Sequence, residues 1–304
     1  MPLVSVIMPC FNHARFLEDS VNGILRQSAP DLELIVVDDC STDDSWERIR
    51  RLAAGDARIK AIRHEKNQGA SRARNDGLKN ARGEFIGFCD ADDIWEQGKL
   101  DEQIELLRKN PDFDVVYCDS LIIDEKGASI GRRFSELFPP PRSPSGWLFP
   151  ELIRRNFINM QGVLMRRQCA RPGGGFDENI KWIEDWCYWV ALSRFHRFLY
   201  TPSVLAKYRV HHHSTNVLQQ RGYSVNRFKA RKRILRTYRD LPSDIRADAF
   251  FKMGTDLCEL GKCRLGRQLL WKAIGQSFWN IRAFGTFCRA LRRILLSATR
   301  GQPF

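Results

Sequence analysis

The stretch Gly83-Glu84-Phe85-Ile86-Gly87-Phe88-Cys89-Asp90-Ala91-Asp92-Asp93 is a short apolar run that ends in a cluster of carboxylates. Apolar runs of this length are typical of strands that are buried on both faces of a parallel sheet. The same pattern occurs upstream, where Leu32 to Val37 precedes Asp38-Asp39 and Leu3 to Met8 precedes Asn12. Apolar residues at helical spacing separate these runs. The pattern therefore predicts strand–helix–strand units and a doubly wound α/β sheet.

Three polar segments are predicted to meet at one edge of this sheet. In open α/β sheets ligands bind beyond the carboxyl ends of the strands, and Asn12, Asp38-Asp39 and Asp90-Ala91-Asp92 each follow such an end. Carboxylates at Asp90 and Asp92 suit Mg²⁺ or Mn²⁺, which can also accept oxygens from a diphosphate. The alternative for each aspartate pair is an acidic turn that caps the following helix.

Two later segments offer charged groups, each with a simpler alternative. Asn67 to Asn75 begins a helix, and Arg74 near its N-terminus suits a phosphate or an acidic turn, or else pairs with a surface carboxylate. Glu184-Asp185 lies within the aromatic stretch Trp182 to Trp189. Tryptophan rings commonly floor sugar sites, and a carboxylate beside them can act as a general base with a raised pKa. The alternative is an amphipathic helix whose aromatic rings belong to the core.

The segment His211-His212-His213 follows a predicted strand from Val204 to Val210. Neighbouring residues of a strand face opposite ways, so the three imidazoles cannot bind one ion together. His211, at the end of the strand, is the one that we expect to reach a metal or a diphosphate. The other two are expected in a solvated loop.

The remaining chain is predicted to contain a helix at 96–109, strands at 114–119, 121–124 and 163–166, and a proline-rich loop at 139–146. From about residue 222 the pattern is helical, with breaks near Pro242 and Gly261. We therefore divide the chain into a catalytic domain, 1–220, and an all-α C-terminal subdomain, 221–304.

Charge and cysteine content restrict the class of protein. The net charge is +13, but residues 221–304 alone hold 19 basic and five acidic residues, so the first 220 residues are nearly neutral. The nine cysteines are scattered without a Cys-x-x-Cys pair, which argues against a zinc cage and favours a reducing compartment. No apolar run approaches the roughly 20 residues that span a bilayer. A cytoplasmic protein is expected.

Taken together, these segments resemble the family 2 glycosyltransferases, which have the nucleotide-diphospho-sugar transferase fold called GT-A. The resemblance covers roughly residues 3–216. The segments that carry it are Val4 to Asn12, Glu33 to Asp43, Asn67 to Asn75, Gly83 to Asp93, Gly175 to Glu178, Glu184-Asp185 and Tyr208 to Ser214. Two positions depart from the family pattern, because Phe11 replaces a frequent Tyr and Cys40 a frequent Gly. Because of these two departures, the family pattern does not predict which sugar donor is used.

The resemblance implies an inverting transfer of a sugar from a nucleotide-diphospho-sugar, a UDP-sugar in particular, to a hydroxyl of a glycan or lipid-linked sugar. Asp39 would contact the nucleoside base of the donor. Asp185 would be the general base that takes the proton from the acceptor hydroxyl. The expected donor side comprises Pro9, Phe11, Asn12, Asp38, Asp39, Asn67, Arg74, Asp90, Ala91 and Asp92. The expected metal ligands, for Mg²⁺ or Mn²⁺, are Asp90, Asp92 and His211. The expected acceptor side comprises Trp182, Glu184 and Trp186.

The basic C-terminal segment has two interpretations. Residues 257–274 look like one helix-turn-helix of a tetratricopeptide-like pair, and 278–295 alternate large apolar side chains with arginines. Such a helix either lies on an anionic membrane surface, which would make the protein peripheral on the inner face of the cell membrane, or packs on its neighbours with a solvated basic face.

Two other functions compete with the transferase. A metal-dependent nucleotidyltransferase uses a similar sheet, but Pro9 to Asn12 stands where that class has a Gly-rich loop. The basic tail also suits a nucleic-acid-binding module, although no motif for nucleic acid is visible and no such partner is expected.

Overall fold

The computed structural model describes residues 2–29, 31–170, 175–180, 183–211 and 220–276. The chain divides into two compact units, one of residues 1–152 and 156–214 and the other of residues 153–155 and 215–304. The first unit contains the sheet, and the second contains the C-terminal helices. The predicted boundary after residue 220 lies close to this division.

One mixed sheet organises the first unit. Its strands are β1 (Val4–Cys10), β2 (Leu32–Asp38), β3 (Ile59–Arg63), β4 (Phe85–Phe88), β5 (Ile94–Trp95), β6 (Val115–Ile123), β7 (Ser129–Arg133), β8 (Val163–Arg166) and β9 (Phe198–Arg209). Their order is β3-β2-β1-β4-β8-β6-β9-β5, and β7 pairs with β6. The first four strands in this order are parallel, whereas β8 pairs antiparallel with both β4 and β6. The predicted α/β fold is confirmed, and its sheet is mixed because of the antiparallel pairings of β8.

The helices lie between the strands and at the C-terminus. They are α1 (Ala14–Leu25), α2 (Ser45–Gly55), α3 (Ala70–Asn80), α4 (Lys99–Lys109), α5 (Phe134–Leu137), α6 (Phe149–Arg154), α7 (Glu184–Ser193), α8 (Gln220–Thr237), α9 (Ser243–Glu259) and α10 (Cys263–Gln276). The breaks predicted near Pro242 and Gly261 are both present. The strands predicted at 114–119 and 121–124 are one strand, β6, because β9 pairs along its whole length across a bulge. Short β5 and α5 were not predicted.

The parallel pairing of β1, β2 and β4 brings their carboxyl ends to one edge. Cys10 lies opposite Asp38 in the ladder between β1 and β2, and Ile7 lies opposite Phe88 in the ladder between β1 and β4. Every residue of these three strands is buried, which explains their continuous apolar runs. The polar segments after them are therefore neighbours in space.

The C-terminal unit contains a closely packed helix pair, α9 and α10. A Cβ added at Gly254 would lie 2.9 Å from the carbonyl oxygen of Gly266, and one added at Gly266 would lie 2.7 Å from that of Gly254. Two glycines at the crossing therefore let the backbones approach. In the part of the chain that the structure describes, no helix combines the length and hydrophobicity that a membrane span needs.

Candidate active site

The loops after β1 and β2 are tied to each other. Asn12 has a left-handed backbone (φ 57°), and its carbonyl side-chain oxygen accepts a hydrogen bond of 2.8 Å from the amide of Thr42. The amides of Asn12 and His13 donate to the hydroxyls of Ser41 and Ser45 at 3.0 and 2.9 Å. These crossed bonds hold the start of α1 in place, which orients the side chains that precede it.

Asp39 fixes the start of α3. Its carboxylate accepts hydrogen bonds from the backbone amides of Gln68 (2.8 Å) and Gly69 (2.6 Å), and it contacts Nδ1 of His64 at 2.7 Å. A carboxylate at a helix N-terminus is stabilised by the unpaired amides and the helix dipole. Asn67 joins this loop by donating to the carbonyl of Asp39 at 3.3 Å. The contact of Asp39 with a nucleoside base stays a prediction.

Asp38 is buried at the end of β2. Its Oδ2 lies 3.3 Å from Nε of Arg63 and accepts the amide of Ser41, whereas its Oδ1 has no hydrogen-bond partner among the described residues. Nearby Pro9 is buried within β1, and Phe11 is 42% exposed beside the loop. The expected donor side thus contains an exposed aromatic ring, that of Phe11, and a buried carboxylate oxygen, Asp38 Oδ1, that has no partner among the described residues.

Arg74 links the acidic loop after β4 to the first turn of α7. Its guanidinium donates to Asp90 Oδ1 and to Glu184 Oε1, both at 2.6 Å, and lies over the ring of Phe176. Although burial opposes the charge, the two carboxylates raise the pKa of Arg74. Arg74 therefore joins three segments that are far apart in sequence, and it pairs with the buried Glu184 and the partly buried Asp90 rather than with a surface carboxylate.

Asp92 faces two imidazoles. Nε2 of His211 lies 3.0 Å from Asp92 Oδ2, and one ligand atom each of His13, Asp92 and His211 lies within 4.8 Å of the others. Burial favours the neutral acid, but the bond with His211 and the charge of His13 outweigh it and lower the pKa of Asp92. Asp90 does not belong to this group and is turned to Arg74. His13 was not predicted, although it directly follows Asn12.

Asp93 and Arg209 place His211 beside the acidic loop. The amide of Arg209 donates to Asp93 Oδ1 at 2.8 Å, and Nε of Arg209 donates to the carbonyl of Asp92 at 2.7 Å. The guanidinium also covers the ring of Phe16, on which His211 packs. The end of β9 is thereby held against the loop that follows β4. The carbonyl of Ala91 is bonded in turn to Ser20 of α1.

Asp185 lies in the first turn of α7, beside Glu184. Its Oδ2 accepts a 2.9 Å hydrogen bond from Nδ2 of Asn156, and its Oδ1 accepts the amide of Trp186. Burial and then the charge of Glu184 raise the pKa of Asp185 to about 7. A carboxylate with a pKa near neutral is suited to general-base catalysis.

The aromatic side chains of α7 are buried, as expected if they belong to the core. The indole of Trp186 is 3% exposed and donates to the carbonyl of Leu152, so it packs as a core side chain. Trp189 and Tyr188 are buried as well, as the amphipathic alternative expects. A role of Trp186 on the acceptor side stays a prediction. Trp182, His212 and His213 lie outside the described residues.

Comparison with known proteins identifies the family. The family model described as Glycosyl transferase family 2 matches residues 5–166. TuaG of Bacillus subtilis, whose name describes a teichuronic acid biosynthesis glycosyltransferase, is 29% identical over 79% of this chain and 88% of its own. The Escherichia coli UDP-Glc:alpha-D-GlcNAc-diphosphoundecaprenol beta-1,3-glucosyltransferase WfgD is 32% identical over 76% of this chain and 83% of its own.

Solved structures share the fold. S. aureus TarS 1-349 in complex with UDP-GlcNAc matches with a TM-score of 0.67 at 19% identity, covering 99% of this chain and 93% of that chain. The mannosyltransferase PcManGT from Pyrobaculum calidifontis, in complex with GDP-Man and Mn²⁺, matches with a TM-score of 0.62 at 17% identity, covering 97% and 86%. Of the functions considered from the sequence, these comparisons support the transferase. The chain belongs to glycosyl transferase family 2.

Proposed function

We propose that this glycosyltransferase moves a sugar from a UDP-sugar to an acceptor hydroxyl with inversion at the anomeric carbon, in the synthesis of a cell-surface polysaccharide or lipid-linked glycan. The observation that carries the proposal is the Asp90–Arg74–Glu184 chain, which joins the acidic loop to Glu184, the residue that precedes Asp185. Support for the donor and pathway comes from TarS with UDP-GlcNAc and from the names of TuaG and WfgD.

Asp185 is proposed as the base. The acceptor oxygen attacks the anomeric carbon, the bond from that carbon to the diphosphate breaks, and Asp185 takes the hydroxyl proton. Asn156, which lies outside α7, donates a hydrogen bond to one carboxylate oxygen of Asp185. This bond fixes the orientation of the carboxylate. Because the displacement occurs in one step, no covalent intermediate with the protein is required.

Asp92 and His211 are proposed to hold a divalent cation, Mg²⁺ or Mn²⁺. Their fit rests on the donor set, a carboxylate oxygen and an imidazole nitrogen in contact at 3.0 Å. A bound cation would stabilise the charge that develops on the leaving diphosphate. Asp90 is proposed to reach the ribose or the ion through water, since its Oδ1 is occupied by Arg74.

A thermal-unfolding screen of nucleotide-sugars, with and without Mn²⁺ or Mg²⁺, tests the donor. A ligand that binds only the native protein, at a concentration about 100 times its dissociation constant, stabilises it by about 2.7 kcal/mol. A UDP-sugar should raise the unfolding temperature more with metal than without. Stabilisation by another nucleotide-sugar alone would overturn the UDP assignment.

The variant Asp185→Asn tests the base. We expect donor binding to be retained and turnover to fall about 100- to 10,000-fold, because only the proton acceptor is lost. Asn156→Ala is the companion variant, since it should keep measurable turnover. A normal rate in Asp185→Asn would show that another group is the base.

Association with an anionic membrane surface is proposed for the C-terminal residues 278–295, on their sequence pattern alone. They lie outside the described residues. The acceptor of such an enzyme would be a lipid-linked sugar in that surface.

A further inference from the structure

We propose that His13 is a third protein ligand of the donor-site cation, so that this site binds a transition-metal ion such as Mn²⁺ through two imidazoles and one carboxylate in preference to Mg²⁺. This inference rests on the proposed function, because it concerns the same cation that Asp92 and His211 are proposed to hold.

The first support is the arrangement of the three side chains. Ligand atoms of His13, Asp92 and His211 lie within 4.8 Å of one another, a separation that one ion can bridge. The two imidazole rings meet edge to face with centroids 5.9 Å apart, so they are not stacked against each other. Side chains that lie around a common point in this way can direct ligand atoms to one ion.

The second support is an unmet hydrogen-bonding group. Nδ1 of His13 is buried and has no hydrogen-bond partner among the described residues. Buried polar atoms without a partner are uncommon and costly, and they often indicate an ion or water that completes the site.

The third support is the way in which His13 is held. The amide of His13 donates to Ser45 at the start of α2, and that of Asn12 donates to Ser41 in the loop after β2, so two hydroxyls fix the backbone before α1. On the opposite side His211 is 6% exposed and packs on Phe16. A metal ligand is effective when its position is set before the ion arrives.

Ligand chemistry decides which ion the site prefers. Mg²⁺ favours oxygen ligands and keeps its waters. Mn²⁺ binds imidazole nitrogen more readily than Mg²⁺ does, and the later transition metals bind it more strongly still. Two imidazoles therefore favour a transition-metal ion at the diphosphate.

The test measures metal binding itself. Mn²⁺ and Mg²⁺ are titrated calorimetrically into the full chain with UDP present, in the wild type, His13→Ala and His13→Gln. The Mn²⁺ complex is then examined by pulsed electron paramagnetic resonance for ¹⁴N coupling. We expect Mn²⁺ to bind at least about tenfold more tightly than Mg²⁺, and both substitutions to weaken Mn²⁺ by about tenfold or more and to reduce the ¹⁴N signal.

Arg15→Ala is the control, because Arg15 is an exposed side chain near this site that pairs with Glu125 and lies over Phe16, and it is not one of the three ligands. It should bind Mn²⁺ as the wild type does. If His13→Ala and His13→Gln bind Mn²⁺ normally while Asp92→Ala does not, the inference about His13 is wrong and the proposed metal function stands. If the wild type binds neither ion with UDP present, the metal part of the proposed function fails first. The ¹⁴N coupling of the wild type does not depend on how any variant folds.

Discussion

The guanidinium of Arg74 stands between two carboxylates from different parts of the chain, Asp90 and Glu184, at 2.6 Å from each. Its side chain is 5% exposed, and Oε2 of Glu184 is buried without a hydrogen-bond partner in the part of the chain that the structure describes. Such a buried network is stable only while every charge is compensated.

Arg74→Ala should lower the free energy of unfolding by about 3–5 kcal/mol, because it leaves two carboxylates without their cation. Arg72→Ala on the same helix should lower the free energy of unfolding much less, since Arg72 is a surface residue paired with Asp76 and exposed ion pairs contribute little to stability. Urea unfolding of both variants measures the difference. Equal losses would mean that Arg74 contributes no more than a surface ion pair.

The pKa of Asp185 predicts the pH dependence of turnover. A base with a pKa of about 7 is protonated below that pH, so kcat/KM should fall about tenfold per pH unit on the acid side. Asn156 donates to the charged form, which lowers the pKa. Asn156→Ala should therefore move the acid limb to higher pH. Initial rates across pH for both proteins check this, and coincident acid limbs would contradict the role of Asn156.

At the scale of elements, Gly83 allows the backbone before β4 to pack closely against the backbone of β1. A Cβ at this position would lie 2.5 Å from the amide nitrogen of Ser5 and 2.7 Å from the carbonyl carbon of Val4. The amide of Gly83 also donates to the hydroxyl of Ser5, which donates in turn to Glu33. The contact is with backbone atoms of a buried strand, which cannot move aside.

Gly83→Ala is therefore expected to lower the free energy of unfolding by about 1–3 kcal/mol, the usual cost of overpacking. The matched control is Gly55→Ala at the end of α2, where an added Cβ meets nothing within 4 Å. That substitution should be neutral or stabilising by up to about 1 kcal/mol. Chemical denaturation of the pair measures both values. A neutral Gly83→Ala would refute the argument from close approach.

At the scale of the whole molecule, charge is concentrated at one end of the chain. Residues 221–304 carry a net charge of +14, and the rest is close to neutral. Basic residues near an anionic surface contribute about 1 kcal/mol each, and the attraction weakens with salt.

Removal of residues 277–304 should therefore weaken binding to vesicles that contain phosphatidylglycerol and leave UDP-sugar binding unchanged. Vesicle sedimentation at low and high salt measures the first, and calorimetry measures the second. Vesicles of phosphatidylcholine alone are the control for binding that does not depend on charge. Undiminished vesicle binding by the shortened chain would place the membrane contact elsewhere.

Periodicity and the positions of polar residues in the sequence determined the strand–helix alternation, the buried strands and the sheet edge where Asn12, Asp38 and Asp90 meet. These features can be predicted from short segments, because a short apolar run that is buried on both faces is typical of a central strand in a parallel sheet. Tertiary structure alone decided that Asp90 pairs with Arg74 and Glu184, that His13 joins Asp92 and His211, and that Trp186 is buried. Each depends on contacts across the sheet between segments distant in sequence, and neither spacing nor residue type specifies which of several nearby charges will pair.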